Sequence, residues 1–416
     1  MHHTGFRTVL AADMVSTFGS LMSRLAIPWL AVLVLGAGPA AMAWLAVADV
    51  AAGAVAALFA GTLVDRYSKR ATMICCDLLR AGALVLVAVL AACDRLSMPV
   101  LWAVVGLNGA LTVAFELAQS AWIARHTPDD ALATRNAQMA AGAAATEAAS
   151  FGITGWVFQW IGGVASMLAD AATYLVSALL LLRVKELPAD AQAPAPRLGW
   201  WQDMRRSARA FREETASGFR QIAARPALRA LAWITMLVAL ATSFAMTSYM
   251  IYVSRDLGFG TGLLGMVFAA GAFGSLAGSW IAARMAERAG SGRLIFAGLM
   301  VWAAGSACAP LAVGAGLLAL ALLLTQQIIG DAGASVFQIH DRTLRQREAP
   351  AGYLARVDSG LRALGHGCTL AGAIAGGFAA ELLGARALLF ASSAAIAAAA
   401  VAAWWTLVRR RREGVA

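Results

Sequence analysis

Charged residues are scarce in this chain. They make up 13% of its 416 residues, whereas 60% of the residues are hydrophobic. Soluble domains carry about 25% charged residues. The composition therefore excludes a soluble globular protein.

Signatures of catalysis and of metal binding are also missing. The five cysteines show neither metal-ligand spacing nor a disulfide framework, and we interpret them as small packing residues (Cys75, Cys76, Cys93, Cys308 and Cys368). No pair among the five histidines has metal-ligand spacing. No Walker A motif, nucleophile elbow or Cys/His pair is present, so ATP-driven pumping and catalysis have no support. We expect no cofactor, no resident metal and no enzymatic activity.

Long apolar runs occupy most of the chain. Each has roughly 20–28 residues, enough to cross a hydrocarbon core of about 30 Å, and too many for the strands of a membrane barrel. The first run is too long for a signal peptide. The sequence predicts an all-α polytopic membrane protein with twelve spans, at residues 8–36, 40–63, 71–93, 98–124, 135–160, 162–183, 228–254, 261–284, 292–313, 315–340, 356–383 and 385–408.

The distribution of Lys and Arg predicts the orientation. Of the 33 basic residues, 27 lie between spans on the side of the N-terminus, and only Arg95, Arg255 and Arg386 lie on the other side. By the positive-inside rule both termini are cytoplasmic. The net charge of +10 then serves orientation and contact with anionic lipid headgroups rather than nucleic-acid binding.

Residues 184–227 form the longest hydrophilic stretch. It begins with an Ala/Pro-rich segment and continues, from Trp200 to Arg225, as a basic amphipathic segment expected to lie on the cytoplasmic membrane surface. Six spans lie on each side of it. The predicted domains are thus a six-helix bundle at 1–183, a cytoplasmic linker at 184–227, and a second bundle with a basic tail at 228–416. Internally repeated transporters have this plan, with a substrate site between the halves near the midplane.

The densest charged segment of the first half is Gly61-Thr-Leu-Val-Asp65-Arg66-Tyr-Ser-Lys69-Arg70, between spans 2 and 3. It resembles the signature loop of the major facilitator superfamily. A weaker copy at Gly278–Arg288 has Ala282 where Asp65 would align. The chain also resembles, more weakly, the branch that contains enterobactin exporters and macrolide efflux proteins. The segments that carry this resemblance are Arg24–Trp29, Asp77–Arg80, Asn136, Asp170–Ser177 and Thr343–Val357.

This resemblance implies two pseudo-symmetric six-helix bundles and a gating role for the charged loop. Gly61 would allow close helix approach, while Asp65 and Arg66, with Lys69 and Arg70, would hold the cytoplasmic side closed. Asp77 and Arg80, one turn apart on span 3, would extend this gate. The alternative is a solvated charge run that only sets topology.

Span 5 departs from the antiporter members of the superfamily. Many of them carry a Gly-Pro motif there, whereas this chain has Ser150–Gly155 without the proline. The departure weakens the prediction of antiport.

Ionisable residues inside the spans are candidates for function, because each costs roughly 2.5–3.5 kcal/mol at a helix centre. They are Asp13 and Arg24 in span 1, Asp49 in span 2, Glu116 in span 4, Glu147 in span 5 and Asp331 in span 10. Depth predicts an Arg24–Asp49 pair, and helical phase places Asp13 and Arg24 on one face, expected to line the cavity. For Glu116 and Asp331 the alternative is a charge in the cytoplasmic vestibule.

Glu147 is the first candidate for proton coupling. It lies near mid-span among small apolar residues, and no basic partner at its level is evident. A carboxyl group that carries a proton in one state and releases it in another is what antiport requires. The alternative is a protonated glutamic acid that hydrogen-bonds a neighbouring helix.

The sequence thus favours a secondary exporter of bulky amphipathic small molecules (drug-, macrolide- or siderophore-like) that works by proton antiport and alternating access. Alternatives are a dedicated exporter of one endogenous metabolite or siderophore, a lipid translocase of the same fold, and a membrane scaffold or sensor. We expect a monomer in the bacterial inner membrane, with substrate, protons and lipid as its partners and no nucleic acid.

Overall fold

The computed structural model describes residues 2–184, 200–286, 288–350 and 353–409. Within these ranges only the backbone is described for residues 2–4 and 58–66 and for several positions in 129–140 and 200–214. The regular structure of the described residues is helical: α1 (His2–Trp29), α2 (Pro39–Arg66), α3 (Lys69–Ala92), α4 (Met98–His126), α5 (Asp129–Leu182), α6 (Trp200–Ala224), α7 (Pro226–Ile251), α8 (Thr261–Met285), α9 (Ser291–Leu311), α10 (Leu317–Glu348), α11 (Leu354–Leu383) and α12 (Ala385–Ala403). Short π-helical turns extend α1 to Val34, α7 to Asp256 and α12 to Arg409.

The longest helix, α5, contains two membrane spans. Its apolar part, Ala141–Leu182, has 42 residues, about twice the length that a bilayer core requires. Gly162, with φ of 77° and ψ of 174°, interrupts it, and this left-handed backbone is readily adopted only by glycine. Eleven described segments are long and apolar enough to cross a membrane, and the break at Gly162 makes the spans twelve. The predicted all-α, twelve-span fold is confirmed.

One helix end differs clearly from its prediction. Helix α10 continues to Glu348, although the apolar run ends near residue 340. Arg345 forms an ion pair with Asp341 one turn earlier and lies 3.8 Å from Asp358 of α11. Pairs of opposite charge four residues apart stabilise a helix. The charged segment that follows the apolar run therefore remains helical.

The chain divides into two compact units, residues 1–37 with 48–210 and residues 38–47 with 211–416. In the first unit, α1 packs on α5, and α3 packs on both α4 and α5. Its apolar core includes Met73, Phe115, Trp122 and Leu181. Three of these helices carry the polar cluster described below.

In the second unit, α10 packs on α8 and α9, while α7 packs on α11 and α12. Helices approach very closely at glycines. A Cβ on Gly274 of α8 would lie 2.2 Å from the carbonyl oxygen of Ile328, and one on Gly333 of α10 would lie 2.4 Å from the backbone nitrogen of Trp302. Such close contact is how helices associate in a medium without a hydrophobic driving force between them.

Helix α6 occupies the segment predicted to be amphipathic. Its second half packs on α11: the hydroxyl groups of Thr215 and Ser359 are 3.2 Å apart, and a Cβ on Gly218 would lie 2.0 Å from the carbonyl oxygen of Arg356. The boundary between the two units falls within this helix, between residues 210 and 211.

Candidate functional site

The predicted gate motif is described only in part. Only the backbone is described for Gly61, Asp65 and Arg66. Helix α2 ends at Arg66 and α3 begins at Lys69, after Ser68, whose side chain accepts a hydrogen bond from the backbone N–H of Ala71. The gating role of Asp65 and Arg66 stays a prediction.

Arg70 has a structural role within the first unit. Its Nε donates to the carbonyl oxygen of Leu181 at 2.8 Å, and its Nη2 donates to that of Leu182 at 2.7 Å. These carbonyls lie at the C-terminal end of α5, where the helix dipole favours a cation; the Leu181 carbonyl also accepts from the backbone N–H of Val184 at 3.1 Å. Arg70 thus ties the start of α3 to the end of the sixth span. Lys69 beside it is partly exposed.

The described structure has a fully buried ion pair, Asp77 with Arg80, on α3. Their side chains are 0% and 1% exposed, and Arg80 Nη2 donates to Asp77 Oδ1 at 2.8 Å. Ser16 of α1 donates to the same oxygen at 2.9 Å. A buried charge survives only when it is paired and hydrogen-bonded, and this pair meets both conditions.

Aromatic rings enclose the Arg80 guanidinium. Its Cζ lies 4.9 Å from the ring centroid of Phe115 and 4.7 Å from that of Tyr174. Arg80 Nη1 also donates to Ser20 Oγ at 3.3 Å, and the Tyr174 hydroxyl donates to the same oxygen at 3.1 Å. Helices α1, α3, α4 and α5 therefore converge on one guanidinium, which is held by one charge, two rings and a shared hydroxyl.

Asp170 of α5 is a fully buried carboxylate that the sequence prediction overlooked. It is 0% exposed. Ser23 donates a hydrogen bond to it, and Thr173 Oγ1 lies 3.5 Å from its Oδ1. Among the described residues no cation forms an ion pair with it. Its side-chain hydrogen-bond partners among the described residues are thus hydroxyl groups.

Helical spacing would have revealed this cluster. Asp13, Ser16, Ser20 and Ser23 are separated by three or four residues along α1. On α5, Thr173 and Tyr174 follow Asp170 by three and four residues, and Ser177 follows them by four and three. Such spacing places each set on one helix face. Two polar stripes in otherwise apolar spans therefore predict helices that face each other.

Asp13 lies at one end of the α1 stripe. Its side chain is 8% exposed, and Thr17 and Gln119 are its polar neighbours. Glu116 of α4 is exposed, although the charge of Asp13 acts on it. Arg24 is also exposed. Helical phase predicts one face of α1 for Asp13 and Arg24, but their environments differ, because Asp13 is buried and Arg24 is exposed.

Arg24 and Asp49 do not form the direct pair that their depth suggested. The Arg24 charge acts on Asp49, yet in the part of the chain that the structure describes they are not joined by an ion pair. The Asp49 carboxylate lies over Gly109 of α4, where a Cβ would be 2.6 Å from its Oδ1.

Glu147 of α5 and Asp331 of α10 have different surroundings. Glu147 is exposed, while its neighbours Thr146 and Ser150 are buried; Ser150 donates to the carbonyl oxygen of Phe18 at 3.2 Å. Asp331, in the second unit, accepts a hydrogen bond of 2.9 Å from Gln327 one turn away.

Acidic residues, histidines and cysteines do not gather into a metal-binding group among the described residues. The buried cluster of the first unit instead combines one ion pair with separate carboxyl and hydroxyl groups. An integral membrane transporter is the class of protein that this fold and this intramembrane cluster define.

The model of the Major Facilitator Superfamily matches residues 9–358. The chain therefore belongs to this superfamily of transporters. A comparison with curated proteins found no match.

Solved structures show the same fold. The nucleoside transporter NupG is 14% identical, with a TM-score of 0.73, over 96% of this chain and 98% of that one. A bacterial homologue of the human lysosomal transporter Spinster, in an inward-facing and unoccupied conformation, is 13% identical, with a TM-score of 0.70 over 97% and 96%. A bacterial metal transporter is 16% identical, with a TM-score of 0.70 over 97% and 99%. At these identities the similarity concerns the fold alone.

Proposed function

We propose that this transporter exports bulky amphipathic small molecules from the cytoplasm in exchange for protons. It would lie in the bacterial inner membrane with both termini in the cytoplasm, as the distribution of Lys and Arg predicts. The buried polar cluster of the first unit is the observation that supports proton exchange. We name it the α1–α3–α5 cluster and define it by Asp13, Asp77, Arg80 and Asp170.

Charge balance within this cluster favours a mobile proton. Arg80 neutralises Asp77, with which it forms a direct ion pair. Asp170 is fully buried, and its side-chain hydrogen-bond partners among the described residues are hydroxyl groups, so its ionised form would be a buried charge without an ion-pair partner of its own. Asp77 Oδ2 is a buried acceptor without a hydrogen-bond partner among the described residues. Movement of α1 against α5 would change the partners of Asp170 and thereby its affinity for a proton.

Glu147 remains the second candidate for the coupling group. Its side chain is exposed on α5, whereas Asp170 would exchange its proton only when the helices around it separate. The two candidates therefore differ in what must move before the proton is released.

The test uses the purified full-length protein in liposomes that contain a fluorescent pH indicator. A lipophilic cationic dye, a macrolide and a siderophore are added in turn, and proton movement is recorded with the wild type, Asp170→Asn and Glu147→Gln. Asp94→Asn, at an exposed connection after α3, is the matched control.

We expect Asp170→Asn to abolish substrate-driven proton movement and the control to leave it unchanged. Loss of coupling in Glu147→Gln alone would assign the coupling to Glu147. Substrate movement that is independent of the pH gradient in the wild type would exclude antiport. Transport of the siderophore alone would favour the dedicated exporter.

A further inference from the structure

A groove runs along the outer face of α3 in the first unit. Its volume is about 550 Å³, and it is lined by Arg70, Ala71, Ile74, Cys75, Leu78 and Leu79 of α3 and by Leu182 at the end of α5. The site does not include any residue of the α1–α3–α5 cluster. It is therefore separate from the proposed transport chemistry.

The wall of the groove is apolar over most of its length. Its residues follow α3 in two adjacent rows from position 70 to position 79, a distance of roughly 14 Å at 1.5 Å per residue. Leu78 and Leu79 are 50% and 49% exposed. On a membrane-spanning helix, side chains exposed in this way contact acyl chains. The groove is thus a shaped surface that a hydrocarbon chain can follow.

One end of the groove is cationic. Arg70 lines it, Lys69 precedes Arg70 at the start of α3, and Arg183 follows Leu182 at the end of α5. No carboxylate among the described residues forms an ion pair with these three side chains. Three positive charges beside an apolar groove are complementary to a lipid whose headgroup is anionic.

Arg70 is fixed in a geometry suited to a phosphate. Its Nε and Nη2 are held by the two carbonyl oxygens at the end of α5, whereas its Nη1 makes no hydrogen bond within the described part of the chain. A guanidinium that is already ordered loses little side-chain entropy on binding. Charge-assisted bonds from arginine to phosphate are also stronger than bonds between neutral groups.

We propose that this groove binds one anionic phospholipid. Its phosphate contacts Arg70, and one acyl chain lies along Ile74, Leu78 and Leu79. The bound lipid joins the start of α3 to the end of α5 and contacts Arg70, the last residue of the gate motif predicted from the sequence. The proposal does not depend on which molecule the protein transports.

Native mass spectrometry of the full-length protein in detergent tests the charged end. The protein is titrated with phosphatidylglycerol and, separately, with phosphatidylcholine, and the occupancy of the first bound lipid is measured. Arg70→Gln is compared with Arg95→Gln, which removes the same charge just beyond the other end of α3 and is exposed.

We expect Arg70→Gln to weaken phosphatidylglycerol binding about fivefold or more, the effect of losing one basic residue at an anionic surface, and to leave phosphatidylcholine binding unchanged. Arg70→Lys keeps the charge and retains most of the preference. Equal losses in Arg70→Gln and Arg95→Gln would overturn the proposal, because the effect would then follow net charge alone.

A second pair of variants tests the apolar wall without altering Arg70. Cys75 lines the groove and Cys93 lies at the far end of α3, and both are exposed. Cys75→Trp fills the groove and should lower the occupancy of the first site for both lipids, whereas Cys93→Trp should not. Unchanged first-site occupancy in Cys75→Trp would show that the acyl chain does not lie there.

Discussion

The two units differ in where their charged side chains form ion pairs. In the first unit, helices meet at charged and hydroxyl groups: Asp77 and Arg80 are almost completely buried at the centre of four helices. In the second unit, the charged group centred on Arg345 lies where α10 ends and α11 begins, with Arg345 itself 19% exposed, and α8, α9 and α10 approach one another closely at glycines. Among the described residues, the first unit thus has its ion pair in the interior, and the second has its ion pairs at a helix end.

This difference indicates how the two units can contribute to a transport cycle. A buried ion pair is costly to form and is highly destabilising when one partner is removed, so it is retained where its charges have a role. The contacts of Gly274 and Gly333 are with backbone atoms, and such contacts give close packing. We therefore expect proton-dependent behaviour to originate in the first unit.

The largest expected effect on stability comes from the loss of Arg80. Arg80→Met leaves Asp77 buried without its cation, and we expect a destabilisation of about 3–5 kcal/mol, measured as a lower midpoint of thermal unfolding of the purified protein. The double variant with Asp77→Leu removes both charges and should recover most of the loss. No recovery would mean that Asp77 is held mainly by groups other than Arg80.

The second effect tests the glycine packing of the second unit. In Gly274→Ala the new Cβ meets the Ile328 carbonyl oxygen, which cannot move aside as a side chain would, and we expect a loss of about 1–3 kcal/mol. Gly367→Ala is the matched control, because a Cβ there has no neighbour within 4 Å. We expect the control to be neutral or to gain up to about 1 kcal/mol from helix propensity.

The third effect compares the charged groups directly. Arg345→Met removes the partner of Asp341, but water reaches this pair more easily than the interior pair, so we expect a smaller loss of about 1–2 kcal/mol. Arg342→Met, an exposed neighbour, should change the unfolding midpoint very little. A loss of stability as large as that of Arg80→Met would show that the ion pair at the end of α10 contributes as much to stability as the buried ion pair of the first unit.

The smallest effect concerns single neutral hydrogen bonds, one in each unit. Tyr174→Phe removes the donor to Ser20 but keeps the ring over Arg80, and Tyr249→Phe removes the donor to Gln326. We expect each to cost about 0.5–1.5 kcal/mol. Because both bonds are neutral, the two units should respond alike; a much larger loss at Tyr174 would show that the hydrogen bond and the charged network act together.

Length and hydropathy were sufficient to predict the spans. Each span is an uninterrupted apolar run, and the bilayer thickness sets its minimum length. The end of α10 was missed because its last turns are charged and are stabilised by the Arg345–Asp341 ion pair. An apolar run does not reveal a helix that continues beyond the hydrocarbon region.

The site was harder to predict than the fold. Asp77 and Arg80 were selected from spacing on one helix, and their pairing is local enough to follow from sequence. Asp170 and Ser23 are 147 residues apart in the chain, so only the packing of α1 on α5 brings them together. Depth along a helix did not suffice for Arg24 and Asp49, because depth does not determine which way a side chain faces.

The Asp77–Arg80 pair also has a consequence for how the protein is made. Both charges lie on α3, three residues apart, so they can neutralise each other before any other helix arrives. Entry of α3 into the membrane during synthesis is then easier than entry of a helix with a single unpaired charge. Asp170 has no such partner on its own helix, and its hydroxyl partner Ser23 is synthesised much earlier. The order of synthesis therefore prepares a polar face on α1 that can receive the last span of the first unit.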